Sequence, residues 1–234
     1  MWNGKKKAVT FSIDDGGIGD KRIIEIFNRY GIKGTFNLNS GLLGKPIVIK
    51  DDKGNIVEVL EKVAKDEVCS VYQNHEIAVH TVTHPNLTIL SKEEIIKEVE
   101  EDRKALERLV GYNIVGMAYP SGGVNNDERV ASIIQENTPI RYARTITSTY
   151  NFDLQENLLQ FNPTIWWKEK QLLHAIEQFM NLQTDEPQLL YIWGHAFELD
   201  REMDISYNRL EQICQILSKK SDIFFGTNRE VFQV

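Results

Sequence analysis

Short hydrophobic runs alternate with amphipathic segments along the whole chain. The hydrophobic runs predict β-strands, whereas the segments between them repeat their apolar residues at helical spacing. We predict strands over 7–13, 35–39, 76–80, 114–119, 142–146, 189–193 and 223–226. We predict helices over 21–30, 91–110, 126–136, 169–182 and 207–217. Strands that alternate with helices are typical of a parallel sheet in an α/β fold, and a (β/α) barrel has this length.

Local signals mark the ends of several predicted elements. Ser91 and Glu94 have the spacing of a capping box, which begins a helix, and Gly111 is placed to end that helix. Gly31 is placed to end the first helix in the same way. The polar segment 40–55 contains glycine and lysine and interrupts the alternation. We expect it to form a hairpin or a lid.

Composition limits the classes to which the protein can belong. Its 234 residues are 41% hydrophobic, enough for a full core, and we expect one domain over residues 1–234. The net charge of -7, with no basic run beyond residues 5–7, argues against a nucleic-acid partner. Cys69 and Cys214 are too far apart to indicate a disulfide framework or a thiolate zinc site.

The beginning of the sequence predicts neither a signal peptide nor a membrane span. The first apolar run meets Asp14 and Asp15 too early for either. We therefore expect a cytoplasmic protein that does not contact a membrane. The sequence leaves its oligomeric state open.

Candidate chemistry follows the ends of the predicted strands. Asp14 and Asp15 follow the first strand, and His80 ends the third, with His84 four positions later. Because the carboxyl ends of parallel strands meet at one rim of a barrel, these side chains can face one another. One carboxylate and two imidazoles can bind a divalent metal and leave positions for water and substrate. The alternatives are a solvated Asp-Gly turn and ordinary packed or surface histidines.

A shared site requires regular backbone geometry to break at both places. Successive strand side chains point to opposite faces, so Asp14 and Asp15 share a site only if the strand breaks there, which Gly16 and Gly17 permit. Pro85 disfavours a helical conformation for the residue before it. A strand-end turn can still direct both imidazoles at one ion.

Two further strand ends carry candidate groups. Gly194 follows a buried strand and places His195 just past its end, where an imidazole acts as a general acid or simply lies in a loop. The segment 117–123 predicts a strand-end turn. Its backbone N–H groups near Tyr119 can serve an oxyanion hole, or the segment is only a turn.

These motifs, in this order, resemble those of the polysaccharide deacetylase family, which is carbohydrate esterase family four. Residues 12–16 are similar to the family's Thr-Phe-Asp-Asp-Gly motif, and residues 80–84 to its His-Thr/Ser-x-x-His motif. Residues 118–122 resemble part of the Arg-x-Pro-Tyr-Gly motif, with Ala118 in place of the arginine, and residues 192–195 resemble the Leu-x-His motif. The aspartate-tryptophan motif is not evident, although Trp166 and Trp167 can line a sugar site or fill the core.

The resemblance implies a distorted (β/α) barrel and a metal-dependent hydrolase that removes acyl groups, expected to be N-acetyl, from a carbohydrate. It implies that one divalent metal ion, expected to be zinc, is bound by three side chains: Asp15, His80 and His84. It implies that Asp14 is the general base and His195 the general acid. Arg144, at a neighbouring strand end, is our candidate for the missing arginine; the alternative is a surface arginine.

Two other functions stay open. The family resemblance extends to hydrolases that open cyclic amides such as allantoin. A carbohydrate-binding protein without activity is the second alternative, but binding alone does not require three ligand residues and two proton carriers. An aspartate with two imidazoles also accepts cobalt, nickel or iron. The expected partner is an acetylated carbohydrate.

Overall fold

A parallel β-sheet forms the centre of the fold and curls into a distorted α/β barrel, the predicted fold class. The computed structural model describes residues 1–201 and 205–234. Within them the strands are β1 (Lys7–Asp14), β2 (Gly34–Leu38), β3 (Ile47–Lys50), β4 (Ile56–Leu60), β5 (Glu76–Val79), β6 (Gly116–Ala118), β7 (Tyr142–Arg144), β8 (Ile165–Trp166), β9 (Gln188–His195) and β10 (Ile223–Phe225). The sheet has the order β7-β6-β5-β2-β1-β9-β8, with β10 also paired to β1, while β3 and β4 form a separate hairpin.

Helices connect these strands. They are α1 (Asp20–Arg29), α2 (Val68–Val71), α3 (Lys92–Val110), α4 (Glu128–Asn137), α5 (Leu172–Asn181), α6 (Glu198–Arg201), α7 (Tyr207–Leu217) and α8 (Asn228–Phe232). The predicted capping box is confirmed, since Ser91 and Glu94 each accept a hydrogen bond from the other's backbone N–H. Gly111 ends α3 in the left-handed conformation, with φ +77°. In the described part of the chain, no helix has the length and apolar character needed to cross a bilayer.

The barrel is distorted because β1 has two different partners on one side. Its first three residues pair with β10, whereas residues Phe11 to Asp14 pair with β2. Beyond β7, Arg144 forms a parallel bridge with Phe161, four residues before β8, in which the N–H of Thr145 donates to the carbonyl of Phe161 at 2.9 Å. The sheet is therefore split beside the first half of β1 and continuous beside its second half, where the candidate residues lie.

The outward face of the sheet packs into the hydrophobic core. Val9, Phe11 and Ile13 of β1 belong to this core, and the rings of Phe11 and Phe27 lie 4.9 Å apart between centroids. Full burial of a side chain of this kind contributes about 1.5–3 kcal/mol. Packing on the outer face thus fixes the strands that carry the candidate site.

The inward face of the same strands is polar. Thr10, Ser12 and Asp14 alternate with the core residues of β1 and are all buried. The register of β1 with β9 places Tyr191 beside Thr10 and His195 beside Asp14. The alternation of strand side chains therefore stacks polar layers along the barrel axis, with Asp14 at the carboxyl ends of the strands.

A second polar layer lies near the amino ends of the strands, and we call it the amino-end layer. Glu76 accepts hydrogen bonds from Thr35 Oγ1 and Tyr142 OH, both at 2.8 Å. Asn228, at the start of α8, accepts one from Thr10 Oγ1 at 2.8 Å and donates one to the Tyr191 hydroxyl at 2.6 Å. The side chains of this layer satisfy one another and close this end of the barrel.

The structure differs from the predicted elements at several places. The predicted hairpin forms, but it runs from Ile47 to Leu60 and so ends later than the segment 40–55. The helix predicted from 126 starts at Glu128 because the side chain of Asp127 caps it, accepting a hydrogen bond from the N–H of Val130. Strand β8 and helix α8 were not predicted, since elements this short give no periodic pattern.

Candidate active site

The loop after β1 carries both aspartates. The strand ends at Asp14, and Asp15 takes a φ of +81°, followed by Gly16 at +62°. The expected break in strand geometry thus lies at Asp15 and Gly16, whereas Gly17 has no positive φ. A hydrogen bond from the N–H of Asp15 to the Asn37 carbonyl, at 2.9 Å, holds the turn. As a result, both carboxylates face the same side of the barrel.

Asp14 is a buried carboxylate with a partner on each oxygen. Its Oδ2 accepts a hydrogen bond from Arg144 Nη2, and its Oδ1 accepts one from Asn37 Nδ2 at 2.8 Å. Burial alone would raise the pKa of Asp14, but the guanidinium of Arg144, together with the nearby imidazoles of His80 and His195, outweighs burial and lowers that pKa. The carboxylate is therefore ionised at neutral pH.

Arg144 is fully buried, so the alternative of a surface arginine is wrong. Its Nε donates to Ser12 Oγ at 3.3 Å, and its guanidinium carbon lies 4.4 Å from the centre of the Trp193 ring. In the sheet Arg144 pairs in register with Ala118, the position where the family motif has arginine. The guanidinium beside Asp14 therefore comes from the neighbouring strand at the same level of the barrel.

Asp15, His80 and His84 form a compact group of potential metal ligands. One ligand atom of each lies within 4.8 Å of the others. Oδ1 of Asp15 is 3.6 Å from His80 Nε2 and 3.5 Å from His84 Nε2. Thr81 and His84 have φ values of +68° and +64°, so the segment after β5 turns through left-handed conformations. This strand-end turn, which is not helical, brings the two imidazoles together.

The His80 ring is oriented to present Nε2 to this group. Its Nδ1 lies 2.9 Å from the Ala118 carbonyl, and because a carbonyl only accepts, Nδ1 carries the proton and Nε2 a lone pair. This buried Nε2 has no hydrogen-bond partner among the described residues. Burial lowers the pKa of His80 to about 4, which keeps the imidazole neutral. The three side chains therefore fit a divalent metal ion.

Lys62 is a buried cation beside Asp15 that the sequence analysis missed. Its Nζ lies 2.8 Å from the Asp15 carbonyl oxygen and 3.8 Å from Oδ2 of the same residue. Burial would raise the pKa of Asp15, but Lys62 and the nearby histidines lower it to about 2. Lys62 follows β4 and forms an antiparallel bridge with Gly17. No local motif marks it, because its position depends on where the hairpin folds back.

His195 lies between Asp14 and a second carboxylate, Glu198. Its Nε2 is 4.0 Å from Asp14 Oδ2, and its Nδ1 is 3.1 Å from Glu198 Oε1. The indole N–H groups of Trp166 and Trp167 donate to Glu198 Oε2 at 3.1 and 2.6 Å. Burial would lower the pKa of His195, but Glu198 and the site aspartates outweigh the effect of burial, so the pKa is raised. Glu198 has no motif of its own, and its spacing of three residues from His195 is the only signal for it in the sequence.

A cavity of about 510 Å³, which we call the main cavity, opens over these groups. Asp14, Asp15 and the three site histidines lie on it. Trp166 and Trp193 form an aromatic wall, stacked with 5.7 Å between ring centroids. Of the two tryptophans considered from the sequence, Trp166 lines the cavity and Trp167 is buried. The main cavity thus combines charged groups with an apolar wall.

The backbone N–H of Tyr119 is not available for an oxyanion. It donates to the Arg144 carbonyl at 3.0 Å, as part of the pairing between β6 and β7. The Tyr119 side chain lines the main cavity, and its hydroxyl donates to the Leu159 carbonyl at 2.7 Å. The N–H of Ser121, which has a φ of +70°, donates a hydrogen bond to His84 Nε2 at 3.4 Å. Ser121 rather than Tyr119 therefore directs a backbone donor at the candidate ligands.

Several solved structures share the fold of this chain. A CE4 family pseudoenzyme from Bacillus anthracis aligns with a TM-score of 0.61 and 18% identity over 96% of this chain and 65% of its own. The deacetylase PplD of Streptococcus pyogenes aligns with a TM-score of 0.54 and 22% identity over 68% of this chain and 64% of its own. Peptidoglycan deacetylase PdaC of Bacillus subtilis aligns with a TM-score of 0.57 and 16% identity over 97% of this chain and 91% of its own. The chain thus spans slightly less than two thirds of the first two proteins.

Sequence comparison identifies the family directly. Curated protein sequences gave no significant match to this chain. The family model described as polysaccharide deacetylase, however, matches residues 2–137, more than half of the chain. The matched range contains the aspartate pair of β1 and the histidine pair after β5. The chain belongs to the polysaccharide deacetylase family.

Proposed function

We propose that this protein is a metal-dependent hydrolase that removes N-acetyl groups from a carbohydrate. The observation that carries the proposal is the pairing of Asp14, whose pKa is lowered, with His195, whose pKa is raised, with Nε2 of the imidazole 4.0 Å from Oδ2 of the carboxylate. The group of Asp15, His80 and His84 lies beside this pair. Hydrolysis of an amide needs a base, an acid and an electrophile at one place, and membership of the family supports a carbohydrate substrate.

The proposed metal site consists of Asp15, His80 and His84, and zinc is the expected ion. When bound there, the ion supplies Lewis-acid polarisation of the acyl carbonyl and lowers the pKa of water. Asp14 then accepts the proton of the attacking water at Oδ2. Arg144 and Asn37 keep Asp14 ionised and fix its orientation through one hydrogen bond on each oxygen.

His195 completes the reaction by protonating the leaving nitrogen. An amine cannot leave as an anion, so N-deacetylation requires this proton more than ester cleavage does. Glu198 Oε1 lies 3.1 Å from Nδ1 on the opposite side of the imidazole, whereas Nε2 faces Asp14 Oδ2 at 4.0 Å. The N–H of Ser121 donates to His84 Nε2 at 3.4 Å and so lies beside the proposed ligands, where a backbone donor would stabilise the developing oxyanion once that bond is released.

A substrate panel tests this proposal. Metal-loaded protein should release acetate from N-acetylated sugars and should not open the ring of allantoin. Ring opening without acetate release would favour the cyclic-amide alternative. Binding of sugars without any turnover would favour a carbohydrate-binding protein. One of the proteins of similar structure is described as a pseudoenzyme.

A further inference from the structure

Lys62 contacts the proposed metal ligand Asp15 at two places. Its Nζ donates to the Asp15 carbonyl oxygen at 2.8 Å and lies 3.8 Å from Oδ2 of the same residue. The side chain of Lys62 is only 2% exposed. A buried ammonium is costly unless its charge and its donors have partners. The contacts with Asp15 therefore account for the position of Lys62 inside the protein.

The two carboxylate oxygens of Asp15 face different groups. Oδ1 is 3.6 Å from His80 Nε2 and 3.5 Å from His84 Nε2, whereas Oδ2 faces the ammonium of Lys62 at 3.8 Å. Attraction between opposite charges favours this orientation of the carboxylate. A rotation that turned Oδ2 toward the imidazoles would separate Oδ2 from Lys62. The arrangement thus presents a single oxygen of Asp15 to the two histidines.

The backbone of Asp15 is held from both sides in a left-handed conformation. Its φ of +81° is uncommon for a residue with a side chain. The N–H of Asp15 donates to the Asn37 carbonyl at 2.9 Å, and the carbonyl of Asp15 accepts the hydrogen bond from Lys62. The chain beside Lys62 is fixed in turn, because the N–H of Val63 donates to the Gly16 carbonyl at 2.9 Å. Lys62 therefore restrains both the main chain and the side chain of Asp15.

We propose that Lys62 is a positioning residue that makes Asp15 bind the metal ion through Oδ1 alone. With one oxygen from Asp15 and one nitrogen from each of His80 and His84, the protein supplies three ligand atoms and leaves the other positions for water and substrate. Without the ammonium, Oδ2 is free to turn toward the ion and to occupy one of those positions. This inference rests on the proposed function only for the presence of a divalent ion at these three residues.

Metal binding by lysine variants tests the inference without any substrate. Lys62→Met removes the ammonium and should lower the affinity for zinc by about 10–100-fold, the usual cost of losing a partner that orients a metal ligand. A second oxygen of Asp15 offsets little of this loss, because it closes a strained four-membered ring with the ion. In the cobalt-saturated variant the visible absorption band should weaken, because that oxygen raises the coordination number. Lys62→Arg keeps a cation and its donors and should restore most of the affinity and the wild-type band.

Lys7→Met is the matched control. Lys7 is the other buried lysine among the described residues, and it lies at the opposite end of β1 from Asp14. Its Nζ is 2.7 Å from Oδ2 of Asp222 and 3.2 Å from the Met180 carbonyl oxygen. Lys7→Met should therefore also lower the stability of the fold, but it should keep the wild-type zinc affinity and cobalt band. Competition with a chromophoric chelator and absorption spectroscopy measure the two quantities.

An unchanged or tighter zinc affinity in Lys62→Met, or an unchanged cobalt band, would overturn the inference. If Lys62→Met does not fold, infrared spectra of wild-type protein with ¹³C-labelled aspartate decide the question. Zinc should separate the two carboxylate stretching bands as binding through one oxygen does, and the narrower separation of two-oxygen binding would contradict the proposal. Predicted metal binding without acetate release would refute the proposed function and support this inference, whereas acetate release with an unchanged cobalt band in Lys62→Met would refute the inference alone.

Discussion

The two ends of the barrel carry buried polar layers on the same strands. The layers differ in whether all of their polar groups have hydrogen-bond partners. Strand β5 contributes Glu76 to the amino-end layer and leads to His80 at the other end. Strand β9 likewise contributes Tyr191 to one layer and His195 to the other. In the amino-end layer the carboxylate and hydroxyls satisfy one another. At the carboxyl end, the buried Nε2 of His80 has no hydrogen-bond partner in the described residues.

The buried carboxylates of the two layers also differ, because their pKa values are shifted in opposite directions. Burial raises the pKa of Glu76, although its hydrogen bonds act in the opposite direction. At Asp14 the cationic partners outweigh burial and lower the pKa. A closed network of neutral donors thus stabilises the fold, whereas a layer with fixed charges and an unsatisfied nitrogen retains the capacity to bind and transfer protons.

The largest expected effect comes from removing the proposed base. Asp14→Asn should lower kcat/KM for acetate release by ~10²–10⁴-fold, because the amide cannot accept the proton of the attacking water. Bound metal should stay near the wild-type level, since Asp14 is not one of the three proposed ligands. Steady-state kinetics together with metal analysis check both statements, and a loss smaller than tenfold would contradict the assignment.

The second effect is on stability at the carboxyl end. Arg144→Met should lower the free energy of unfolding by about 3–5 kcal/mol, because it leaves the buried carboxylate of Asp14 without its cation. Urea denaturation of both proteins at neutral pH measures the difference. A loss below about 1 kcal/mol would show that Asp14 does not depend on Arg144.

A smaller stability change, without a catalytic one, is expected in the amino-end layer. Glu76→Ala leaves the hydroxyls of Thr35 and Tyr142 without their acceptor, which should cost about 1–3 kcal/mol of unfolding free energy. The activity of the folded fraction should not change. If Glu76→Ala lowered kcat/KM as strongly as Asp14→Asn, the distinction between the two layers would be lost.

The smallest expected effect is a shift in pH dependence. The carboxylate of Glu198 helps to raise the pKa of His195, so the imidazole keeps its proton to higher pH. Glu198→Gln should lower that pKa and move the basic limb of the kcat/KM profile to lower pH. Glu198→Asp keeps the charge and should shift the limb less. Coincident basic limbs for wild type and Glu198→Gln would exclude Glu198 as the residue that sets this limb.

The strand-end residues of the site could be located from the sequence because each closes an apolar run. Parallel strands end at one rim, so Asp14, Asp15, His80 and His195 could be expected together, and the structure places them within reach of one another. The roles assigned to them stay predictions. The position of Arg144 could be proposed for the same reason, since β7 also ends at this rim.

The supporting residues could not be found in this way. Lys62 reaches Asp15 only because the hairpin returns to the aspartate loop, a long-range contact with no local signature. Asn37 belongs to no motif in the sequence. It lies beside Asp14 only because of the register between β1 and β2. Among the N–H groups near Tyr119, that of Tyr119 itself is used by the pairing of β6 with β7, which cannot be deduced from the motif.

The central claim is that one divalent ion, held by Asp15, His80 and His84, is required for deacetylation. The most direct test strips the protein with a chelator and then measures bound zinc and acetate release together as zinc is added back. The wild-type protein should gain activity in proportion to bound zinc and saturate at about one ion per chain, whereas His80→Ala should remain without metal and inactive at the same concentrations. Full acetate release by the stripped protein, or wild-type zinc content in His80→Ala, would contradict the account.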